Sequence, residues 1–151
     1  MVPVTAMKGS QKITKIQLSV SEQDEPSVFG IVTSDPDYKL SLKLNNKLKI
    51  FLKGSAPLEA DSKKNEKLYF SKFSDLSDAP DSVFHLISNR SGKNFFLRDL
   101  KNIDYILVLY DPGSKYKIEQ ITAILREIET ITAVFNIDRK ALKNKSLVYL
   151  I

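Results

Sequence analysis

Ile103-Asp104-Tyr105-Ile106-Leu107-Val108-Leu109-Tyr110, approached through Leu97-Arg98-Asp99-Leu100-Lys101-Asn102, is the stretch on which the fold turns. From Ile106 onward the side chains are apolar on both faces of an extended chain, the pattern of a central strand covered on two sides. Asp111-Pro112-Gly113-Ser114 breaks it. Ile118, Ile121, Leu125 and Ile128 then recur at three- and four-residue spacing and predict a helix. Ile131, Ala133, Phe135 and Ile137 alternate with Thr132, Val134 and Asn136, which predicts a strand with the first four on one face. Strand, helix and strand together make a crossover unit, expected to be right-handed.

Working outward, Ile16, Leu18 and Val20 alternate with polar residues as a half-buried strand does, and Ser21 to Pro26 is an acidic turn. Val28 to Thr33 reads as a second strand. Ser34-Asp35-Pro36-Asp37 is a helix-start signal: Ser34 or Asp35 can cap, Pro36 suits the first turn, and Asp37 complements the positive end of the helix. Leu40, Leu44 and Leu48 share a face; the helix is expected to end near Asn45 or Asn46, with Ile50-Phe51-Leu52 starting a new extended piece. Gly54 to Lys67, polar and containing Pro57, reads as a mobile loop or insertion. Leu68 to Phe73 and Val83 to Ile87 read as strands, separated by a turn at Asp75 to Asp81; Ser88 to Gly92 is another turn. A basic turn from Arg139 to Lys145 leads to an extended Leu147 to Ile151. The expected class is α+β, a mainly antiparallel sheet with two principal helices, compatible with a ferredoxin-like split β-α-β core carrying extra strands. Residues 1–10 read as a flexible lead and 11–151 as one domain.

Composition narrows the chemistry. With no cysteine among 151 residues, disulfides, thiolate metal sites and cysteine nucleophiles are excluded. No apolar run approaches the roughly 18 residues of a membrane span, so a cytoplasmic protein without a membrane partner is expected. The net charge of +5 is spread evenly: 12 basic and 9 acidic side chains in residues 1–76, and 11 and 9 in residues 77–151. Nucleic-acid binders usually concentrate such charge on one face or arm, so nucleic acid ranks as a weaker expectation than a protein partner.

Four segments carry a resemblance. They are Phe29-Gly30-Ile31-Val32-Thr33-Ser34 with Asp37-Tyr38-Lys39-Leu40 and Leu44-Asn45; Leu86-Ile87-Ser88-Asn89-Arg90; Leu97-Arg98-Asp99 through Ile103-Asp104-Tyr105; and Thr132 to Asp138. In order and spacing they resemble the bacterial IPExxxVDY family, with Leu97 for Ile, Asp99 for Glu, Ile103 for Val, and Asp104 and Tyr105 unchanged. Arg98 stands where the family has proline. The resemblance implies a small protein of unknown function and brings no activity, cofactor or partner with it.

Candidate binding residues are Asp37, Tyr38, Lys39, Lys43, Lys47, Asp104 and Tyr105. Asp104 and Tyr105, adjacent on a strand, point to opposite faces and so are not expected to share a site; Asp104 is expected to pin a turn and Tyr105 to fill core. Asp37 reads first as a helix-dipole partner, with Tyr38 beside it at the helix start. Lys39, Lys43 and Lys47 form a ridge that could meet phosphate or an acidic partner, although a solvated face explains it more simply. The Asp111 to Lys115 turn reads as a plain cap; it lacks the full phosphate-loop pattern. Tyr69, Phe70 and Phe73 interleave with Lys67 and Lys72 as an imaginable stacking platform. A zinc site or a serine triad would have to use His85, the one histidine, and no elbow motif accompanies it. No catalytic residue, metal site or cofactor is therefore assigned. The leading reading is a non-enzymatic protein-interaction or scaffold module that docks another protein or itself; a nucleic-acid or ribosome-associated accessory and a small-molecule sensor are the alternatives.

Overall fold

The computed structural model describes residues 25–62 and 64–138. The expected strand around Ile16–Val20, most of the acidic turn, the 139–145 turn and the final extended piece lie outside the described residues. Within them the chain runs β1 (Ser27–Thr33), α1 (Asp37–Leu48), β2 (Lys53–Asp61), β3 (Lys67–Asp75), β4 (Val83–Ser88), β5 (Arg90–Ser91), β6 (Asn94–Phe95), β7 (Tyr105–Tyr110), α2 (Ile118–Arg126) and β8 (Ile131–Ile137). The class is α+β. Six strands form an antiparallel sheet in the order β2-β3-β4-β7-β1-β8, and β5 and β6 form a separate two-stranded hairpin.

The segment 105–110 lies where its apolar pattern predicts, between β4 and β1. Tyr105, Leu107 and Leu109 face one layer; Ile106 and Val108 face the other. The first layer is built by Leu40, Leu44 and Leu48 of α1 and Ile121 and Leu125 of α2, joined by Ile128, against Phe29, Ile31, Phe84 and Leu86 of the sheet. Both helices therefore cover the same face. The opposite face, Val28, Phe70 and Ile87 with Ile106 and Val108, is covered by Phe96, Leu97 and Ile103 from the segment between β6 and β7. The Phe70 and Phe96 rings meet at 5.4 Å across this second layer. Because β7 and β8 both pair antiparallel with β1, they run parallel to each other on either side of it, and α2 makes the crossover.

Several boundaries differ from the sequence expectation, each for a physical reason. Neither Ser34 nor Asp35 caps α1; the N-cap is Pro36, without a side-chain cap, because the Asp35 carboxylate is bonded elsewhere. The helix passes Asn45 and Asn46 and ends at Leu48, where Lys49 adopts the left-handed conformation (φ 58°) and bonds back to the Asn45 carbonyl. Asn45 terminates the helix through its side chain instead: its Oδ1 accepts from the Leu52 N–H at 2.7 Å and its Nδ2 donates to the Leu52 carbonyl at 3.1 Å. Residues 50–52 are consequently a tied connector rather than a strand, with Ile50 and Leu52 buried.

The expected loop at 54–67 is mostly strand β2. It is largely exposed and occupies the sheet edge, where polar residues and a proline are tolerated because the outer N–H row needs no partner strand. Pro57 falls where the register with β3 shifts, between Ser55 and Leu58. On β8 the pairing passes from Thr33↔Ile131 to Val32↔Ala133, leaving Thr132 as an extra residue. That bulge breaks the expected alternation: Ile131 and Val134 join the helix-side layer, Ile137 packs on the other, and Phe135 is exposed.

Leu107 is fully enclosed between helices and sheet. Leu107→Ala is expected to lower unfolding free energy by about 2–5 kcal/mol, whereas Leu42→Ala on the outer face of α1 should stay within about 0.5 kcal/mol; urea titration of both variants measures the difference.

Candidate functional site

The residues singled out at the start of β7 do converge. Asp104 Oδ2 accepts the Thr33 N–H at 3.0 Å, and Asp104 Oδ1 accepts from Arg90 Nε at 2.8 Å. Tyr105 Oη donates to the Asp35 carbonyl at 2.7 Å. The expectation that these neighbours cannot share a site is corrected here. The link from β1 to α1 wraps around the end of the sheet, so side chains leaving opposite faces of one strand both reach it. Together with Ser34, Pro36, Ser88 and Arg90 they line a crevice of about 430 Å³.

The same link is tied from a third side. Thr33 Oγ1 donates to the Thr130 carbonyl at 2.7 Å, and the Asp35 carboxylate accepts from Thr130 Oγ1 at 2.6 Å and from Lys43 Nζ at 2.8 Å. Bonds from Lys43 and Thr130 hold the Asp35 carboxyl below its ordinary range. Burial, then the charges of Asp37, Asp104 and Asp35, push the Tyr105 hydroxyl up to about 12. The side chains of Thr33, Asp35, Arg90, Asp104 and Tyr105 in this crevice thus all have protein partners. Its chemistry is that of a brace, with Asp104 pinning a turn and Tyr105 filling core, as their residue types suggest.

The other candidates disperse. Asp37 opens α1 and accepts from the Tyr38 N–H at 2.7 Å, while the Tyr38 ring is exposed. The lysine ridge is divided: Lys39 and Lys47 are exposed, but Lys43 is held by Asp35 and Thr130. Lys47 borders a groove whose lining also includes Glu127 and Glu129. The aromatic platform does not form, because Phe70 is enclosed in the core and Phe73 packs on the opposite layer. At the Asp111 turn, Asp111 accepts from the Tyr116 N–H and from Ser82 Oγ, the role of a plain turn and cap.

His85 does meet a serine: Ser74 Oγ lies 2.7 Å from His85 Nδ1, with Ser55 Oγ 3.3 Å from Ser74 Oγ. Burial, and then the nearby Lys72 charge, lower the histidine's pKa, favouring the neutral ring. The adjacent acid cannot complete a triad. Asp75 directs its oxygens to the Phe51 and Ser77 amides and to Ser77 Oγ, bonds that outweigh its own burial and lower its pKa. Ser74 and His85 are a cross-strand pair of β3 and β4 that satisfies two polar groups in the sheet. Among the described residues no group of three or more His, Asp or Glu side chains could hold a metal ion.

Asn89 is the residue that reading the sequence as a plain turn misses. It is fully buried; its Nδ2 donates to the Leu100 and Ile103 carbonyls at 2.9 Å each, and its Oδ1 accepts from the Leu97 N–H at 2.7 Å. Its backbone N–H reaches the Asp104 carbonyl and its carbonyl accepts from the Phe96 N–H. Asn89 therefore fixes the 96–103 segment over the second face of the sheet. The available signal was an amide residue placed directly after the end of β4.

The chain matches no protein-family model, no curated protein and no solved structure. Among the described residues no helix is long and apolar enough to cross a membrane.

Asn89→Ala is expected to destabilise the fold by about 3 kcal/mol, because two buried backbone groups and one half-buried one lose their partner together; chemical denaturation would read it. Tyr105 makes a separate prediction. The unfolded chain releases this proton near the ordinary value of 10 and the folded one near 12, so the contribution is complete below pH 10 and is lost as pH rises to 12. Tyr105→Phe should flatten the fall in stability across that interval, measured by denaturation at a series of alkaline pH values.

Proposed function

We propose that this protein is a non-enzymatic interaction module that docks a protein partner. The observation that carries the reading is a pair of large apolar side chains beside β2, the outermost strand of the sheet among the described residues. Phe51 and Leu76 are 66% and 60% exposed, and both line a crevice of about 390 Å³ with Lys53, Gly54, Ser55 and Ser74. The Phe51 N–H is fixed to Asp75 Oδ2 at 2.9 Å, so the exposed ring stands on a tied backbone. Among the described residues no strand pairs with the outer edge of β2. Exposed apolar side chains next to unpaired backbone groups favour an extended segment that adds to the edge while its side chains enter the crevice.

Two further parts of the reading rest on pattern. The order β8-β1-β7-β4, with α1 and α2 on one face, fits a ferredoxin-like core in which β2 and β3 are an inserted hairpin. The Asp104–Tyr105 brace and the buried Asn89 supply structural reasons for the residues that resemble the IPExxxVDY family, and membership in that family is part of the proposal, as is a cytoplasmic location. Within the brace the Asp35, Asp104 and Tyr105 side chains are each engaged by protein partners, which favours a structural role for them over a small-molecule sensor.

Affinity capture from native cells, with and without nuclease, tests the docking site when wild type is compared with Phe51→Asp/Leu76→Asp. One or a few proteins that survive nuclease and fall at least about tenfold with the double variant are expected. Wild-type recovery with the variant, or no nuclease-resistant protein at all, would overturn the reading.

A further inference from the structure

At the other end of the β2–β3 hairpin from the Phe51 crevice lies a different surface. The turn joining β2 to β3, the β5–β6 hairpin and the segment leading to β7 enclose an open groove of about 700 Å³. Lys64 stands on the first wall, Lys93 on the second, and Arg98 and Lys101 on the third. All four are exposed, and their side chains make no ion pair or hydrogen bond among the described residues. The cations that are paired with acids, Lys43, Lys67, Arg90 and Lys115, are different ones. Glu66 and Asp99 also border the groove, which leaves it with two positive charges in excess.

We infer that this groove binds single-stranded nucleic acid, with Lys64, Lys93, Arg98 and Lys101 contacting phosphates. Four unpaired cations converging from three chain segments repel one another and hold counterions; a phosphodiester chain relieves both at once. The groove also contains Leu68 and the half-buried ring of Phe95, over which the Arg90 guanidinium lies at 5.0 Å. Apolar and aromatic surface between cations suits an unpaired base, which a duplex would not present. A membrane surface fits less well, because the protruding apolar side chains Tyr38, Leu42, Phe51 and Leu76 are outside the groove. An acidic peptide would match the charge but not the aromatic surface. RNA and DNA share the chemistry that the groove reads.

The inference is independent of the protein-docking reading, since the two surfaces share no residue. Fluorescence anisotropy with labelled oligouridine and oligothymidine of about 12 nucleotides tests it across a salt series from roughly 50 to 200 mM. With four phosphate contacts, the slope of log affinity against log salt should be about −3. Lys93→Glu/Arg98→Glu should weaken binding about tenfold or more, and Lys101→Gln alone should lessen the slope by about 0.7. Lys117→Glu/Arg126→Glu, at the two ends of α2, makes the same change in net charge away from the groove and should leave affinity within about twofold. Binding of either oligonucleotide in this pattern supports the inference, and the ratio of the two affinities tells RNA from DNA. No binding at the lowest salt, equal loss in both double variants, or equal displacement by polyglutamate of matched charge would overturn it. Folding of each variant is checked by circular dichroism; should the double variant misfold, the Lys101→Gln slope decides.

Discussion

The short link from β1 to α1 is held from three directions, and the packing of the helix-side layer depends on that hold. Asp104 takes the Thr33 amide, Tyr105 takes the Asp35 carbonyl, and Thr130 with Lys43 takes the Asp35 carboxylate. These partners come from the start of β7, the turn between α2 and β8, and α1 itself. One segment of chain thereby registers the central strand against both helices. A carboxylate in such a place would be expensive to bury alone, and here its charge is matched by a lysine and a hydroxyl. Apolar contact between helices and sheet supplies the larger energy, but it is non-directional. The polar brace selects one arrangement among those that would bury similar area.

A second polar device does for the other face what the helices do for the first. Among the described residues no helix covers Val28, Phe70 and Ile106; an irregular segment does, and irregular backbone carries polar groups that must be satisfied when buried. Asn89 satisfies them from the end of β4, using both its amide donors and its acceptor. With the segment so fixed, Phe96, Leu97 and Ile103 are held against the sheet, and the exposed Arg98 and Lys101 are carried to the surface between them. The buried apolar residues and the basic groove are consequences of the same loop.

The β2–β3 hairpin extends the sheet beyond the helix-covered core and presents different chemistry at its two ends. At one end, exposed apolar rings and chains flank an edge that lacks a partner strand among the described residues. At the other, Lys64 shares a groove with Lys93 of the β5–β6 hairpin and with Arg98 and Lys101 of the following segment. Edge strands are commonly guarded by bulges, proline and charge. Here Pro57 and the register shift beside it guard the middle of β2, which leaves its ends as the surfaces on offer.

The apolar content of 105–110 by itself determined a central strand, and the spacing of Leu40, Leu44 and Leu48 and of Ile121 and Leu125 determined two helices with their buried faces. Those signals are local periodicities, which the sequence displays directly. Tertiary structure alone decided that 53–61 is a strand, since an exposed edge imposes no apolar alternation to be read. It also decided the faces of β8, because the extra residue at Thr132 reverses them without leaving a mark in the composition. Asp104 and Tyr105 stood out among the candidate residues, yet their convergence required knowing where residues 33–35 pass. Hydrogen bonds between residues about 70 positions apart, such as Thr33 to Asp104 and Tyr105 to Asp35, depend on how strands are ordered in space, and strand order is set by packing rather than by any local pattern.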